Sequence, residues 1–435
     1  MVGGGRSPRL LGTASLRSGC NGPAHFRPAL LRAVSPRAYV TARPLAFGHS
    51  VPQEEGIAWM KACLRRVAET RPVPGLGRAL RFCDVLARTA NIGARTTCLD
   101  DYTHQDWDRM RLHAAPPAGD GQAPAADAAE APWYRPSLEA RTEIFAETAL
   151  ALARDAFADD VEAPGLLVQV SCTGYDSPTA VQRLAVEKGW TAGTRLLHLG
   201  HMGCYAALPA VALAADCLPS LSRAVRARAA AGPAGDDVTG ARAALFLVEL
   251  CTLHHDPAAT DVEQLVTQTL FADGAARVDV TAEPPAPGTR ALAFLDHAEV
   301  LLPETAEAMT WRVADAYFRM TLSRDVPRHI GANLASAVEQ LLAPHGLGVE
   351  DVAWWAVHPG GPRVIESAAE ALGLPDAAVR HSQDVLYARG NMSSVTIPHV
   401  WAAMLADEAV AAGDLVVSLA FGPGLTVAMS LMRVA

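Results

Sequence analysis

Five short apolar runs decide what this chain can fold into. They read GLLVQVSC (165–172), RLLHLGHMGC (195–204), RAALFLVELCTL (242–253), DVAWWAVH (351–358) and GDLVVSLAFG (413–422). Each is short and apolar, which suits strands in a covered sheet. Between them lie stretches with helical spacing and good helix formers, such as EARTEIFAETALALARDAF (139–157). Strands alternating with helices predict a layered α/β fold with buried sheets. Half of the 435 residues are hydrophobic, enough for a sizeable core.

Charge and cysteine usage narrow the function. The formal net charge is −9, the wrong sign for a nucleic-acid binder. No apolar run is long enough to span a membrane. The eight cysteines (20, 63, 83, 98, 172, 204, 217 and 251) form no CxxC pair and show no zinc-ligand spacing. They read as small hydrophobes in a reducing cytoplasm. Residues 1–36 carry arginines and no acid, and read as a disordered or leader-like arm. AAPPAGDGQAPAADAAEAP (114–132), AAAGPAGDD (229–237) and AEPPAPGT (282–289) read as loops.

Three residues stand where chemistry is placed in α/β folds. Cys204 follows Gly203 and precedes a helix-like run, with Pro209 in the first turn. A thiol at a helix N-terminus gains thiolate character; a lone cysteine is more often simply packed. His358 ends an apolar run before Pro359-Gly-Gly-Pro362, a position for proton transfer or for an ordinary surface histidine. Asn391 precedes a helical pattern. Its plain role is a cap, and its chemical one is to donate to a carbonyl oxygen gaining charge. The pairs His198/His201 and His254/His255 lack a matching third ligand, so no metal is expected. FADGAAR (271–277) reads as a glycine turn without the lysine of a phosphate loop.

Five words in order change the reading. GHMGCYAALPA (200–210), LFADGAA (270–276), VHPGGPRVIESAAEALGL (357–374), GNMSS (390–394) and FGPGLTV (421–427) resemble the type III polyketide synthases, the chalcone-synthase-like family. The resemblance runs from about Arg37 to the C-terminus. It implies a thiolase-like αβαβα sandwich of two similar halves, 37–275 with the nucleophile and 276–435 with the histidine and asparagine, and a homodimer. It implies a catalytic triad of Cys204, His358 and Asn391. The thiolate, paired with His358, takes an acyl group from acyl-CoA. Malonyl-CoA then loses carbon dioxide while His358 and Asn391 hold its thioester oxygen. The carbanion extends the chain, and repetition followed by cyclisation gives a polyketide. No metal or redox cofactor is implied.

Departures from the family pattern mark the pocket. Plant members gate the cavity with two phenylalanines; here the matching positions are His255 (or His254) and Leu292. A leucine there would open the pocket, which suggests an aliphatic starter and an alkylpyrone or alkylresorcinol. Only Arg95 is basic where plant members hold CoA phosphates, so CoA is held differently or an acyl carrier protein delivers the substrate. The family's Gly-Phe-Gly-Pro-Gly turn begins with Ala420 here, placing Phe421 and Gly422 beside the cavity and a methyl at its floor. Cys172 falls on a cavity-lining strand. Three alternatives stay open: a β-ketoacyl carrier-protein synthase making one condensation, a thioester hydrolase, and a non-catalytic acyl-binding protein of the same fold.

Overall fold

All five apolar runs contain strands. The computed structural model describes residues 35–70, 72–113, 136–231 and 241–435. The N-terminal arm, the insertion at 114–132 and most of the 229–237 connection lie outside the described residues. The chain runs through β1 (Ala38–Pro44), β2 (His49–Pro52), α1 (Gln53–Thr70), α2 (Leu76–Thr89), β3 (Ala94–Thr97), α3 (Leu138–Ala156), β4 (Leu166–Ser171) and α4 (Ala180–Glu187). It continues through β5 (Arg195–Gly200), α5 (Ala207–Ala231), β6 (Arg242–Leu250), α6 (Val262–Leu270), β7 (Asp273–Thr281) and β8 (Leu292–Leu301). The hairpin β9 (Met309–Val313) and β10 (Phe318–Leu322) leads to α7 (Val326–Leu342), β11 (Trp354–Val357), α8 (Pro362–Leu372) and α9 (Asp376–Arg389). α10 (Thr396–Ala406), β12 (Leu415–Gly422) and β13 (Thr426–Val434) complete it.

Nine strands pair in the order β11-β12-β13-β8-β1-β7-β6-β4-β5. The two ends repeat one pattern. β4 runs parallel to β6, β6 antiparallel to β7, and β7 antiparallel to β1. Likewise β11 runs parallel to β12, β12 antiparallel to β13, and β13 antiparallel to β8. A short antiparallel join of β1 to β8 links them. Position 275/276, taken from the sequence as the division between halves, lies within β7. The glycine turn expected in FADGAAR is instead where β7 begins.

Alternation along each strand builds the layers. On β6, Ala243, Leu245 and Leu247 face a core shared with α5 and α10, while Ala244, Phe246 and Val248 face the helices α1 to α4. The α5–α10 core also takes residues of β8, β12 and β13, so these two helices lie between the two parts of the sheet. α7 packs on β8 and β13 from outside. Each fully buried large side chain in such a core contributes roughly 1.5–3 kcal/mol. The layered α/β fold expected from the sequence is borne out. Its edge strand β5 departs from the buried pattern, with Leu196 and Leu197 39% and 38% exposed.

Candidate active site

Gly203 shapes the turn that presents Cys204. Its φ is +85°, and a Cβ there would stand 2.7 Å from Cδ of Pro423. Only glycine tolerates both the left-handed backbone and that approach. α5 follows, with Pro209 in its first turn as expected. The Cys204 side chain is buried, with the side chains of Ser393 and Asn391 near enough to favour its thiolate.

Of the other two residues of the expected triad, His358 arrives from the opposite end of the sheet and Asn391 from beside the start of β7. His358 ends β11, where its N–H donates to the carbonyl of Leu419 on β12 (2.7 Å). Its ring flanks Gly360: a Cβ there would lie 3.7 Å from the imidazole Cδ2. Asn391 Nδ2 donates to the Gly360 carbonyl (3.3 Å), and its Oδ1 accepts from the Ser393 N–H (2.9 Å). Its backbone is clamped, donating to Leu270 O (2.9 Å) and accepting from Ala272 N (2.8 Å). Asn391 thus touches both the thiol and the loop carrying His358.

Electrostatics set the resting state. Burial pushes the Cys204 thiol up to about 12, the Ser393 hydrogen bond working against this and Glu249 adding to it. Burial alone takes His358 down to about 3, and among the described residues neither of its ring nitrogens has a hydrogen-bond partner. Burial thus favours the neutral thiol and the neutral imidazole, and works against the ion pair the resemblance implied. Magnitudes explain the difference. A helix terminus supplies about 0.3–1 kcal/mol, whereas raising a thiol from 9 to about 12 corresponds to roughly 4 kcal/mol.

A narrow cavity opens from Cys204. Cys172, Cys251, His254, His255 and Ser393 line it together with Met309, Trp311, Phe318 and Met320 of the β9–β10 hairpin. Cys172 lines it as expected, its Sγ 3.3 Å from the Ser393 hydroxyl. Its N–H donates to Glu249 (2.9 Å), a buried carboxyl that also accepts from Thr173 and Ser394 and whose pKa burial raises. Both candidates for the first gate, His255 and His254, are present in the wall.

Other pocket expectations require correction. Leu292 is not a gate: it is fully buried in β8, paired with Val40 and Val434 in the α5–α10 core. Trp311 and Phe318 supply the bulk on that side, so the pocket is not opened. The sequence did show them, as the alternating pattern MTWRV and FRMTL that marks a half-buried hairpin. Arg95 does not reach for phosphate. It is buried, and its guanidinium donates to Gln53 Oε1 (2.8 Å) and to the carbonyls of Gln268 (2.6 Å) and Phe271 (2.9 Å). Phe421 and Gly422 stay behind Pro423, which alone of that turn lines the cavity. A Cβ on Gly422 would meet Tyr205 at 2.1 Å, so this residue seats the turn against the Cys204 loop. The Ala420 methyl packs in the core rather than at the cavity floor. Among the described residues no group of three or more His, Cys, Asp or Glu is placed to hold a metal ion.

Comparison with known proteins places this geometry. Residues 295–435 match the family described as chalcone and stilbene synthases, C-terminal domain. The chain is 31% identical over 296 residues to 1,3,6,8-tetrahydroxynaphthalene synthase of Streptomyces peucetius subsp. caesius, covering 65% of this chain and 73% of that protein. The chain belongs to the type III polyketide synthases. It is also 31% identical over 268 residues to the α-pyrone synthesis polyketide synthase-like Pks18 of Mycobacterium tuberculosis, a match spanning 60% of this chain and 63% of Pks18. Among solved structures, PKS-I of the brown alga Ectocarpus siliculosus superposes with a TM-score of 0.72 at 25% identity, over 91% of this chain and 98% of that one. The tetrahydroxynaphthalene synthase of Streptomyces coelicolor A3(2) gives 0.68 at 23% identity, over 91% and 99%. The fold of this type III polyketide synthase is the thiolase-like sandwich of these neighbours.

Proposed function

We propose that this polyketide synthase loads an acyl group from acyl-CoA onto Cys204 and extends it repeatedly with malonyl-CoA. The observation that carries the proposal is the convergence on Cys204, which lines the cavity, of Asn391 and, through it, the loop carrying His358. Starting from the neutral pair, thioester arrival triggers transfer of the thiol proton to His358 as sulfur attacks the carbonyl carbon. CoA leaves as the thiol on taking that proton, and the acyl group stays on sulfur. Malonyl-CoA then loses carbon dioxide. His358 and the Asn391 amide donate to its thioester oxygen as charge develops there. The enolate attacks the acyl-cysteine, which expels the Cys204 thiolate and lengthens the chain by two carbons. These steps use a thiol, an imidazole, an amide and the thioester substrates, so the reaction as proposed takes no metal or redox cofactor.

The cavity favours a small product. Closure of a pyrone from a chain extended twice occupies less space than a resorcinol ring, and Trp311 and Phe318 restrict the wall. The argument for an aliphatic starter from an opened gate falls with Leu292, whereas the pyrone remains our proposed product. With Arg95 buried, we assign the entrance to the N-terminal turn of α8. There Arg363 is exposed beyond Gly360 and Gly361 and makes no ion pair among the described residues. A carrier protein would present the same phosphopantetheine arm there. We also propose a homodimer through the edge of β5, where Leu196 and Leu197 are exposed beside an unpaired strand edge. The free cysteines of the described residues suit the cytoplasm. No helix among those residues is long and apolar enough to cross a membrane.

Purified protein, malonyl-CoA and a panel of short, long and aromatic acyl-CoAs, read by mass spectrometry with Cys204→Ala as control, test the reading. Multiply extended pyrones absent from the control are expected. One condensation only, or acid release without extension, would move the function to the single-condensation or hydrolytic alternative.

A further inference from the structure

We propose that Arg141 is a positioning residue for chain extension, acting through the turn that carries His254 and His255. The inference rests on the extension chemistry proposed above. The short turn Cys251–His254 is held by buried side chains from several directions. The Tyr102 hydroxyl donates to Thr252 O (2.8 Å), while Asp273 accepts from the Thr252 N–H (2.8 Å) and hydroxyl (2.7 Å). Arg141 Nη1 donates to the carbonyl of Leu253 and to that of His255 (3.3 Å), so it brackets His254 on both sides. It reaches the turn from α3 in the outer helical layer, 1% exposed, and makes no ion pair among the described residues.

A buried guanidinium whose hydrogen bonds all go to carbonyls is an expensive way to hold backbone. Its Nη1 alone serves the two carbonyls that flank His254, while Nε donates to Pro136 O (3.3 Å) and the guanidinium lies 5.7 Å from the Tyr317 ring centroid, so the planar group is anchored on both sides in a way a lysine or a glutamine does not reproduce. What the grip fixes is the cavity wall. His254 Nε2 donates to Thr173 O (2.7 Å), and its Nδ1 accepts from the Phe318 N–H (3.0 Å). Its ring stacks on Phe318 with centroids 4.3 Å apart and planes 10° apart. Any shift of the turn therefore moves His254, and with it Phe318 and the β9–β10 hairpin. Burial, with Arg141 and His201 adding, holds His254 down to about 3 and so uncharged. That matters for the malonyl group. A cation at its carboxylate would stabilise the ground state more than the transition state in which that charge leaves. Arg141 itself stays behind the turn, outside the cavity lining.

A wall that acts in extension leaves loading of Cys204 intact, so the two steps are measured apart. Wild type, Arg141→Lys and Arg141→Gln would be given a short acyl-CoA, and acyl-Cys204 formation followed by intact mass in a single turnover. Malonyl-CoA would then be added, and extension rate and product lengths recorded. The expected result is loading within about twofold of wild type in all three, with extension slowed about tenfold or more in Arg141→Gln and a changed product-length ratio. Arg141→Lys should fall between. If Arg141→Gln does not fold, Tyr102→Phe, which releases the Thr252 carbonyl and a longer contact to His113 Nε2 (3.4 Å), must shift product lengths without changing loading. Equal loss of loading and extension, or no change in either, would overturn the proposal. A wild type that loads but never extends would instead refute the polyketide reading.

Discussion

At Cys204 two forces oppose each other, and burial prevails over the helix terminus. Burial favours the protonated thiol, the less reactive form. Alkylation of Cys204 by iodoacetamide should therefore keep accelerating from pH 6 to pH 9, because the thiolate fraction grows toward a pKa of about 12. A rate that levels off below pH 7 would show a preformed thiolate. Replacing Asn391 by Ala removes a donor to the developing oxygen charge and should lower malonyl-CoA decarboxylation by roughly 10²–10³-fold. Carbon dioxide release measures it, and loss of less than tenfold would remove Asn391 from that role. Arg95 shows where residue-level reading fails. A basic residue in the right stretch looked like an anion contact, but one residue's burial is not visible in a sequence, and three hydrogen bonds to buried oxygens commit it to structure.

Among the elements, unbroken apolar runs were the most legible because central strands are covered on both faces. β4, β6, β11 and β12 appear where expected. The β9–β10 hairpin was overlooked, since short alternating strands mixed with arginines look much like loops. That omission produced the misplaced gate: Leu292 was assigned to a wall that Trp311 and Phe318 build. The two positions now make opposite predictions. Leu292→Ala should cost about 2–5 kcal/mol of stability yet leave product lengths unchanged, as read by denaturant unfolding and mass spectrometry. Trp311→Ala should enlarge the cavity and shift products toward longer chains at modest cost in stability. A change in product length from Leu292→Ala alone would restore it to the wall. Gly203→Ala should cut acyl loading at least tenfold, because strain at φ +85° and contact with Pro423 displace Cys204.

Over the whole molecule, the layered fold keeps many histidines neutral. Burial takes His113, His254 and His358 to about 3 and His399 to about 4. In the unfolded chain each binds a proton near pH 6.5, so the unfolded state holds more protons below that pH. Stability is then fully present above about 6.5 and is lost as pH falls, by roughly 1.4 kcal/mol per histidine per pH unit. The raised pKa values of Glu249 and Asp273 act in the opposite sense, but two carboxyls are outnumbered. Thermal unfolding should show the melting temperature dropping steeply between pH 6.5 and 5; a flat profile would mean these histidines are hydrated. The order of the five family words already implied the sandwich. What no local pattern revealed was that Asn391 ties the thiol to the His358 loop, a contact across 187 residues between Cys204 and Asn391 in sequence.

The most direct measurement is the mass of the Cys204 peptide after brief reaction with acyl-CoA and malonyl-CoA, quenched at successive times and digested. The account predicts acyl adducts on that cysteine followed by adducts longer by successive two-carbon ketide units. An extended product released while Cys204 stays unmodified, or adducts confined to Cys172 or Cys251, would contradict it.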